Sequence, residues 1–201
     1  GGGSFIYHLK ENTVAIGFVV HLNYSNPHLS PFDEFQRFKT HPAIRPLLEG
    51  GKRISYGARA LTEGGLQSIP RLAFPGGLLI GCTAGFMNVP RIKGSHNAMK
   101  SGMLAAEAVV EALAQEKIGA TLESYPEKIR ASWIWKDLEA VRNVKPALSR
   151  FGNILGSIFG GMEMWLASFG ITTPWTLKHG KADHESLKPA ASSPKITSPK
   201  P

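Results

Sequence analysis

Apolar residues recur along the chain in three patterns, and each pattern predicts a different kind of element. Short, mainly apolar runs at 5–9 and 13–22 flank the polar triplet Lys10-Glu11-Asn12 and predict two strands joined by a hairpin turn. The second run, Val14-Ala15-Ile16-Gly17-Phe18-Val19-Val20, is too uniformly apolar for a half-exposed strand, which predicts a central place in a sheet. Ser30-Pro31-Phe32-Asp33 reads as a helix start, with a capping serine, a first-turn proline and an acid three residues on. That helix runs to about Lys39 with Phe32, Phe35 and Phe38 as core-facing residues, and a second short helix ends before Glu49-Gly50-Gly51. Residues 53–61 read as a strand and 67–74 as extended chain between prolines.

The chain is organised around residues 76–98. Leu78-Leu79-Ile80 is a continuous apolar run, as in a strand covered on both faces; the glycine-punctuated segment Gly81 to Gly94 follows, then a helix over 95–117. Ala98, Ala105, Ala106, Val109, Val110 and Leu113 form its narrow apolar face. Such a helix directs free N–H groups and its positive dipole end at the glycine turn, which suits a phosphate or an electron-rich ring. The same pattern also describes an ordinary strand–loop–helix connection. A further helix is expected over 122–143, carrying Trp133 and Trp135 and stopped by Pro146.

Residues 151–169 carry the third pattern. Phe151, Ile154, Leu155, Ile158, Phe159, Met162, Trp165, Leu166 and Phe169 follow helical spacing and fill an arc of roughly 140° at 100° per residue. Gly152, Asn153, Gly156, Ser157, Gly160, Glu163 and Ser168 lie on the other side. A membrane span needs ~20 apolar residues, and a mid-helix Glu163 costs about 2.5–3.5 kcal/mol on insertion scales. A helix lying in the membrane interface fits better, with Arg142, Lys145, Arg150, Lys178 and Lys181 available to anionic headgroups. The alternative is a helix packed on the protein's own core. The tail beyond Lys178 is rich in Lys, Pro and Ser without periodicity, and reads as a linker or disordered end.

Composition narrows the functional classes. The 201 residues carry 23 Lys plus Arg against 15 Asp plus Glu, a formal charge of +8. The basic residues are dispersed among Pro and Gly with no run of five, which argues against nucleic acid and leaves an anionic surface. One cysteine, Cys82, excludes an internal disulfide and an iron–sulfur cage made by this chain; a small buried hydrophobe is its simplest role. The start on three glycines without Met reads as a fragment boundary.

Longer strings add a resemblance. They include Gly2-Gly3-Ser4-Phe5, Glu49-Gly50-Gly51-Lys52-Arg53-Ile54, Tyr56-Gly57-Ala58-Arg59-Ala60-Leu61, Phe74-Pro75-Gly76-Gly77-Leu78-Leu79-Ile80-Gly81-Cys82 and Gly85-Phe86-Met87-Asn88-Val89-Pro90. Ala98-Met99-Lys100-Ser101-Gly102-Met103-Leu104-Ala105-Ala106-Glu107, Val141-Arg142-Asn143 and Pro174-Trp175-Thr176-Leu177-Lys178-His179 continue the series. Together they resemble the electron transfer flavoprotein–ubiquinone oxidoreductases over nearly the whole chain.

The resemblance implies a fragment of an FAD-dependent oxidoreductase fold of α+β or α/β class. It has a mixed β-sheet quinone-binding part and C-terminal helices, one of them amphipathic and membrane-facing. It divides the chain into a quinone-binding part (1–73), a returning segment of the FAD domain (74–120), a helical membrane-associated part (121–178) and a linker towards an iron–sulfur domain (179–201). It implies FAD, a four-iron four-sulfur cluster with ligands outside this chain, and ubiquinone as substrate. The implied partners are reduced electron transfer flavoprotein and membrane lipid, with no nucleic acid. The setting is the matrix side of the mitochondrial inner membrane or the bacterial cytoplasmic membrane. Gly2 and Gly3 match the glycines at the quinone headgroup; Gly81, Cys82, Gly85, Asn88, Gly94, Ser95, His96 and Asn97 match the flavin-facing turn; the nine apolar residues of 151–169 match the membrane-facing segment. No catalytic acid or base is implied. A flavoprotein of the geranylgeranyl-reductase type and a non-redox membrane-peripheral adaptor are the alternatives.

Overall fold

A computed structural model describes residues 2–117 and 119–199, which divide into two compact units: residues 2–57 with 181–199, and residues 58–180.

In the first unit, β1 (Gly2–His8) and β2 (Val14–Val20) pair antiparallel, from Gly2 opposite Val20 to His8 opposite Val14. The turn closes with Leu9 N–H donating to Thr13 O at 2.8 Å. Glu11 and Asn12 both take positive φ, 58° and 51°, the backbone that tight hairpins need and that Asn tolerates better than Glu. The expected central strand is not central: among the described residues β2 pairs with β1 alone. Its apolar run instead meets α1 (Pro31–Lys39), where Phe18 and Phe38 ring centroids lie 5.2 Å apart. Ser30 caps α1 as the sequence predicts, its Oγ accepting from Asp33 N–H at 3.3 Å. Phe32 is exposed, so the phenylalanine stripe does not pack as a set. None of this unit's described residues is fully buried.

The second unit holds the core. The strand expected over 53–61, which begins before this unit, does not form: Ile54 and Tyr56 stay exposed and no ladder partner meets them among the described residues. The apolar run before the glycine turn is also shorter than predicted. Only Gly77–Leu78 (β4) pairs, with Ala73–Phe74 (β3), and Ile80 is 46% exposed, not covered on both faces. α2 spans Ser95–Ala114 and buries Asn97, Ser101, Leu104, Ala105, Ala108 and Ala112. The buried stripe is rotated from the predicted one, leaving Val109, Val110 and Leu113 exposed. Polar Asn97 and Ser101 sit on the inner face because the turn's backbone supplies their partners, so a count of apolar positions alone misplaces the face.

The helix expected over 122–143 is two. α3 (Ser124–Ala131) and α4 (Trp133–Glu139) meet at Ser132, whose backbone is extended and whose Oγ caps Ile134 N–H. Pro146 stops nothing; it lies in the first turn of α5 (Val144–Ser168), where its missing N–H has no intrahelical partner to lose. Leu72, Ala84, Phe86, Leu104, Ala105, Ala108, Tyr125, Ile129, Ile134 and Leu138 close into one cluster.

α5 is broken at Gly152, whose φ of 74° and ψ of −177° are non-helical. The chain folds back there into a helical hairpin, so Phe151 is out of phase with the residues after the break. The glycine and glutamate side of the second arm faces the first. A Cβ on Gly156 would lie 2.6 Å from Leu148 Cα, and one on Gly160 would lie 3.0 Å from a Val144 methyl. Gly156, Gly160 and Glu163 are buried, while Ile154, Leu155, Ile158, Met162 and Trp165 are 53–78% exposed.

Candidate functional site

The turn before α2 is held by side chains that leave its backbone little freedom. Gly81 (φ 67°) opens a single 3-10 turn, Gly81–Ala84, and its N–H donates to Ser101 Oγ at 2.9 Å. Ser101 Oγ in turn donates to Ala98 O at 2.8 Å, so one hydroxyl bridges the turn and α2. Gly85 ends the turn in the left-handed region, φ 90°, where a side chain is strained. Asn97 is fully buried; its Nδ2 donates to Phe86 O at 2.7 Å, and its Oδ1 has no partner among the described residues. Gly94 caps α2 without a side-chain bond, and a Cβ there would lie 2.6 Å from Cys82 Sγ. Cys82 is half-buried against that glycine rather than fully enclosed.

Gly81, Cys82, Gly85, Gly94 and Asn97 thus come together around the start of α2, and Ser95 and His96 are exposed beside them. His96 stacks on Trp133 with centroids 5.3 Å apart and planes within 2°. Asn88 is displaced from this group in role: it is fully buried, its Nδ2 donating to Asp137 Oδ2 at 2.8 Å and its Oδ1 accepting from Arg91 N–H. Arg91 donates to the other Asp137 oxygen at 3.1 Å, so Asp137 braces the loop 88–93 from α4.

This donor set fits the edge of a flavin ring. The uncapped helix start offers N–H groups to ring acceptors, and the orphaned Asn97 Oδ1 is an acceptor still needing a donor. An iron–sulfur cage does not fit: Cys82 is the one cysteine, and no cluster of three ligating side chains occurs among the described residues.

Behind the turn, Tyr125 is fully buried and donates to Leu79 O at 2.8 Å. Burial pushes its hydroxyl up to about 12, partly offset by a hydrogen bond with Ser101. At the hairpin of α5, Asn143 Nδ2 donates to Glu163 Oε1 at 2.8 Å, and Thr173 Oγ1 donates to the same oxygen at 2.7 Å. Asn143 Oδ1 accepts from Leu177 N–H at 2.7 Å, which fixes the segment after α5. Sequence reasoning missed Ser101, Tyr125, Asp137, Trp133 and Asn143 as supports. Ser101 alone had a readable signal, one turn after Asn97 on the same helix face.

In the other unit Gly2 and Gly3 lie at the open end of the hairpin, both exposed. A Cβ on Gly2 would collide with Val19 O, whereas one on Gly3 would meet nothing within 4 Å. Gly3 therefore presents bare backbone to its surroundings without being required by packing.

Residues 1–61 match the family model described as ETF-QO, ubiquinone-binding. The whole chain is 57% identical to a stretch making up 33% of the mitochondrial electron transfer flavoprotein-ubiquinone oxidoreductase of Rattus norvegicus. It is 55% identical to 33% of the Homo sapiens protein of that name and 52% identical to 36% of the Pseudomonas aeruginosa one. The chain spans about a third of the length of these curated relatives.

Proposed function

We propose, from the premise that this chain belongs over its whole length to the electron transfer flavoprotein–ubiquinone oxidoreductase family, that it forms the quinone-binding and flavin-facing parts of such an enzyme. The observation that carries the reading is the whole-length identity of 52–57% with mammalian and bacterial relatives of that name. In this reading the protein takes electrons from reduced electron transfer flavoprotein and delivers them to ubiquinone.

Bound FAD would supply the redox centre through which the electrons pass. The chain's own contribution is electrostatic and positional. The N–H groups at the start of α2 favour negative charge on an adjacent ring, and Ser101, Asn97 and Gly85 hold the turn so that Gly81, Cys82 and Gly94 face it without bulk. His96 and Ser95 border the same opening. Electron transfer needs no proton relay at the flavin, so no acid or base is assigned there. An iron–sulfur cluster would need cysteines beyond this chain's one, Cys82.

At the quinone end, Gly2 and Gly3 would let a headgroup approach bare backbone, and the open space at Gly3 supports that role. The second arm of α5 would lie in the membrane interface, with Ile154, Leu155, Ile158, Met162, Trp165 and Phe169 outward. No helix among the described residues is long and apolar enough to cross a membrane. The inward placement of Gly156, Gly160 and Glu163 supports the interfacial reading, because it leaves the apolar face without a protein partner in this unit.

The test is a titration of the isotope-labelled chain with ubiquinone-1 in detergent, followed by NMR. The Gly3 amide is expected to shift saturably, and Gly3→Val is expected to weaken binding about tenfold by filling the open space with a side chain. A Gly3 amide that stays fixed through saturation of binding elsewhere would sink the placement.

A further inference from the structure

The tail over 188–198, which composition marks as a linker, is bound along its length to loop 23–30 and α1. Lys188 N–H donates to Ser25 O at 2.9 Å. Ala190 O accepts from His28 Nε2 at 3.2 Å, Pro194 O from Asn26 Nδ2 at 2.8 Å, and Thr197 O from Arg37 Nη2 at 2.8 Å. Ser198 Oγ closes the series by donating to Asp33 Oδ2 at 2.9 Å. Asn26 Oδ1 meanwhile accepts from His28 N–H at 2.9 Å, so the loop sets its own donors in place.

The geometry points to a surface that reads backbone carbonyls. Three donors, from Asn26, His28 and Arg37, meet carbonyls at 190, 194 and 197, and the tail's own pairing is confined to the short turns Asp183–Ser186 and Ala190–Ser192. A segment punctuated by Pro189, Pro194 and Pro199 suits this surface, because proline restricts the free chain and removes competing N–H donors.

We propose that loop 23–30 and α1 form a docking site for an extended proline-containing segment, that the chain's own residues 188–198 occupy it, and that this strap completes the hairpin unit. The need for it follows from burial. With no fully buried residue, the unit lacks a core able to hold α1 against β2 unaided, and the strap adds contacts to α1 at Asp33 and Arg37 beside the Phe18–Phe38 contact. The stretch matched by the ubiquinone-binding family model is then not self-sufficient: residues far along the chain finish it. The proposal rests on these contacts and not on quinone binding.

Hydrogen exchange on the full chain tests it. The Lys188 amide is expected to be protected, and Asn26→Ala with Arg37→Ala is expected to speed its exchange and that of α1 about tenfold while leaving α3 and α4 unchanged. If the double variant loses the whole unit, Asn26→Ala alone, which keeps the Arg37 contact, is expected to give a smaller acceleration in the same amides. Exchange of Lys188 at the unprotected rate in the unaltered chain would overturn the proposal, as would protection unmoved by either variant. Loss of the strap with the Gly3 response to ubiquinone-1 retained would separate this proposal from the quinone reading.

Discussion

Gly156→Ala and Gly161→Ala are the same chemical change, five residues apart in the same helix arm, and the structure assigns them opposite signs. Replacing a mid-helix glycine by alanine ordinarily stabilises by about 1 kcal/mol, through the conformational freedom that glycine loses on folding. At Gly161 nothing lies within 4 Å of the added methyl, so the full gain is expected. At Gly156 the methyl would sit 2.6 Å from Leu148 Cα, 2.8 Å from Ala147 O and 2.9 Å from Leu148 N. These are backbone atoms of the opposing arm and cannot swing aside; overpacking of this kind costs about 1–3 kcal/mol or more. The net expectation is destabilisation by about 1–2 kcal/mol for Gly156→Ala, and a separation of about 2–3 kcal/mol between the variants. All four tryptophans lie in residues 58–180, so urea unfolding followed by tryptophan fluorescence reads this unit alone. Equal midpoints for the two variants would mean that the arms do not meet at Gly156 and that the hairpin is misplaced.

Two further outcomes follow from the same unit. Ile158→Glu with Met162→Glu, both on the outward face, is expected to release the protein from anionic vesicles in a flotation assay while leaving its urea midpoint within about 0.5 kcal/mol; continued flotation would assign membrane contact elsewhere. Tyr125 supplies a pH dependence: its hydroxyl is held neutral to about 12 when folded, against 10.0 when free. Its contribution is fully present below pH 10 and falls away as pH rises towards 12, because only the unfolded chain ionises in that window. Tyr125→Phe is expected to flatten that limb of an alkaline unfolding curve.

What the sequence made legible was local. The β1–β2 hairpin, the Ser30 cap, the start of α2 and the glycine positions of its turn all depend on neighbours within a few residues, and all are found. What it hid depends on distant partners. Residues 53–61 alternate like a strand, but a strand needs a ladder and none meets them among the described residues. Ser132 divides α3 from α4 because its hydroxyl serves both sides of the break, donating to Ile129 O and accepting from Ile134 N–H. Gly152 reads as one more small residue on a helix face; only its positive φ reveals a reversal. Nothing in the polar side of 151–169 announces which residues turn inward; Asn143 and Thr173, distant in sequence, take up Glu163 there. The tail lacks periodicity because its hydrogen bonds go to loop 23–30 and α1.

The hairpin of α5 keeps its specific and its non-specific contacts on opposite sides. Everything that fixes its position in the chain is short, polar or sterically exacting: Gly156 against Leu148, Gly160 against Val144, and Glu163 held by Asn143 and Thr173. The large side chains on the outward side, Ile154, Leu155, Ile158, Met162 and Trp165, are apolar and undemanding in shape. Changes in the surrounding medium should therefore act on the colloidal behaviour of the protein before they act on its fold. In plain buffer the outward face is expected to drive concentration-dependent self-association of an intact structure, and light scattering is expected to show that a mild detergent reverses it while the urea midpoint stays unchanged.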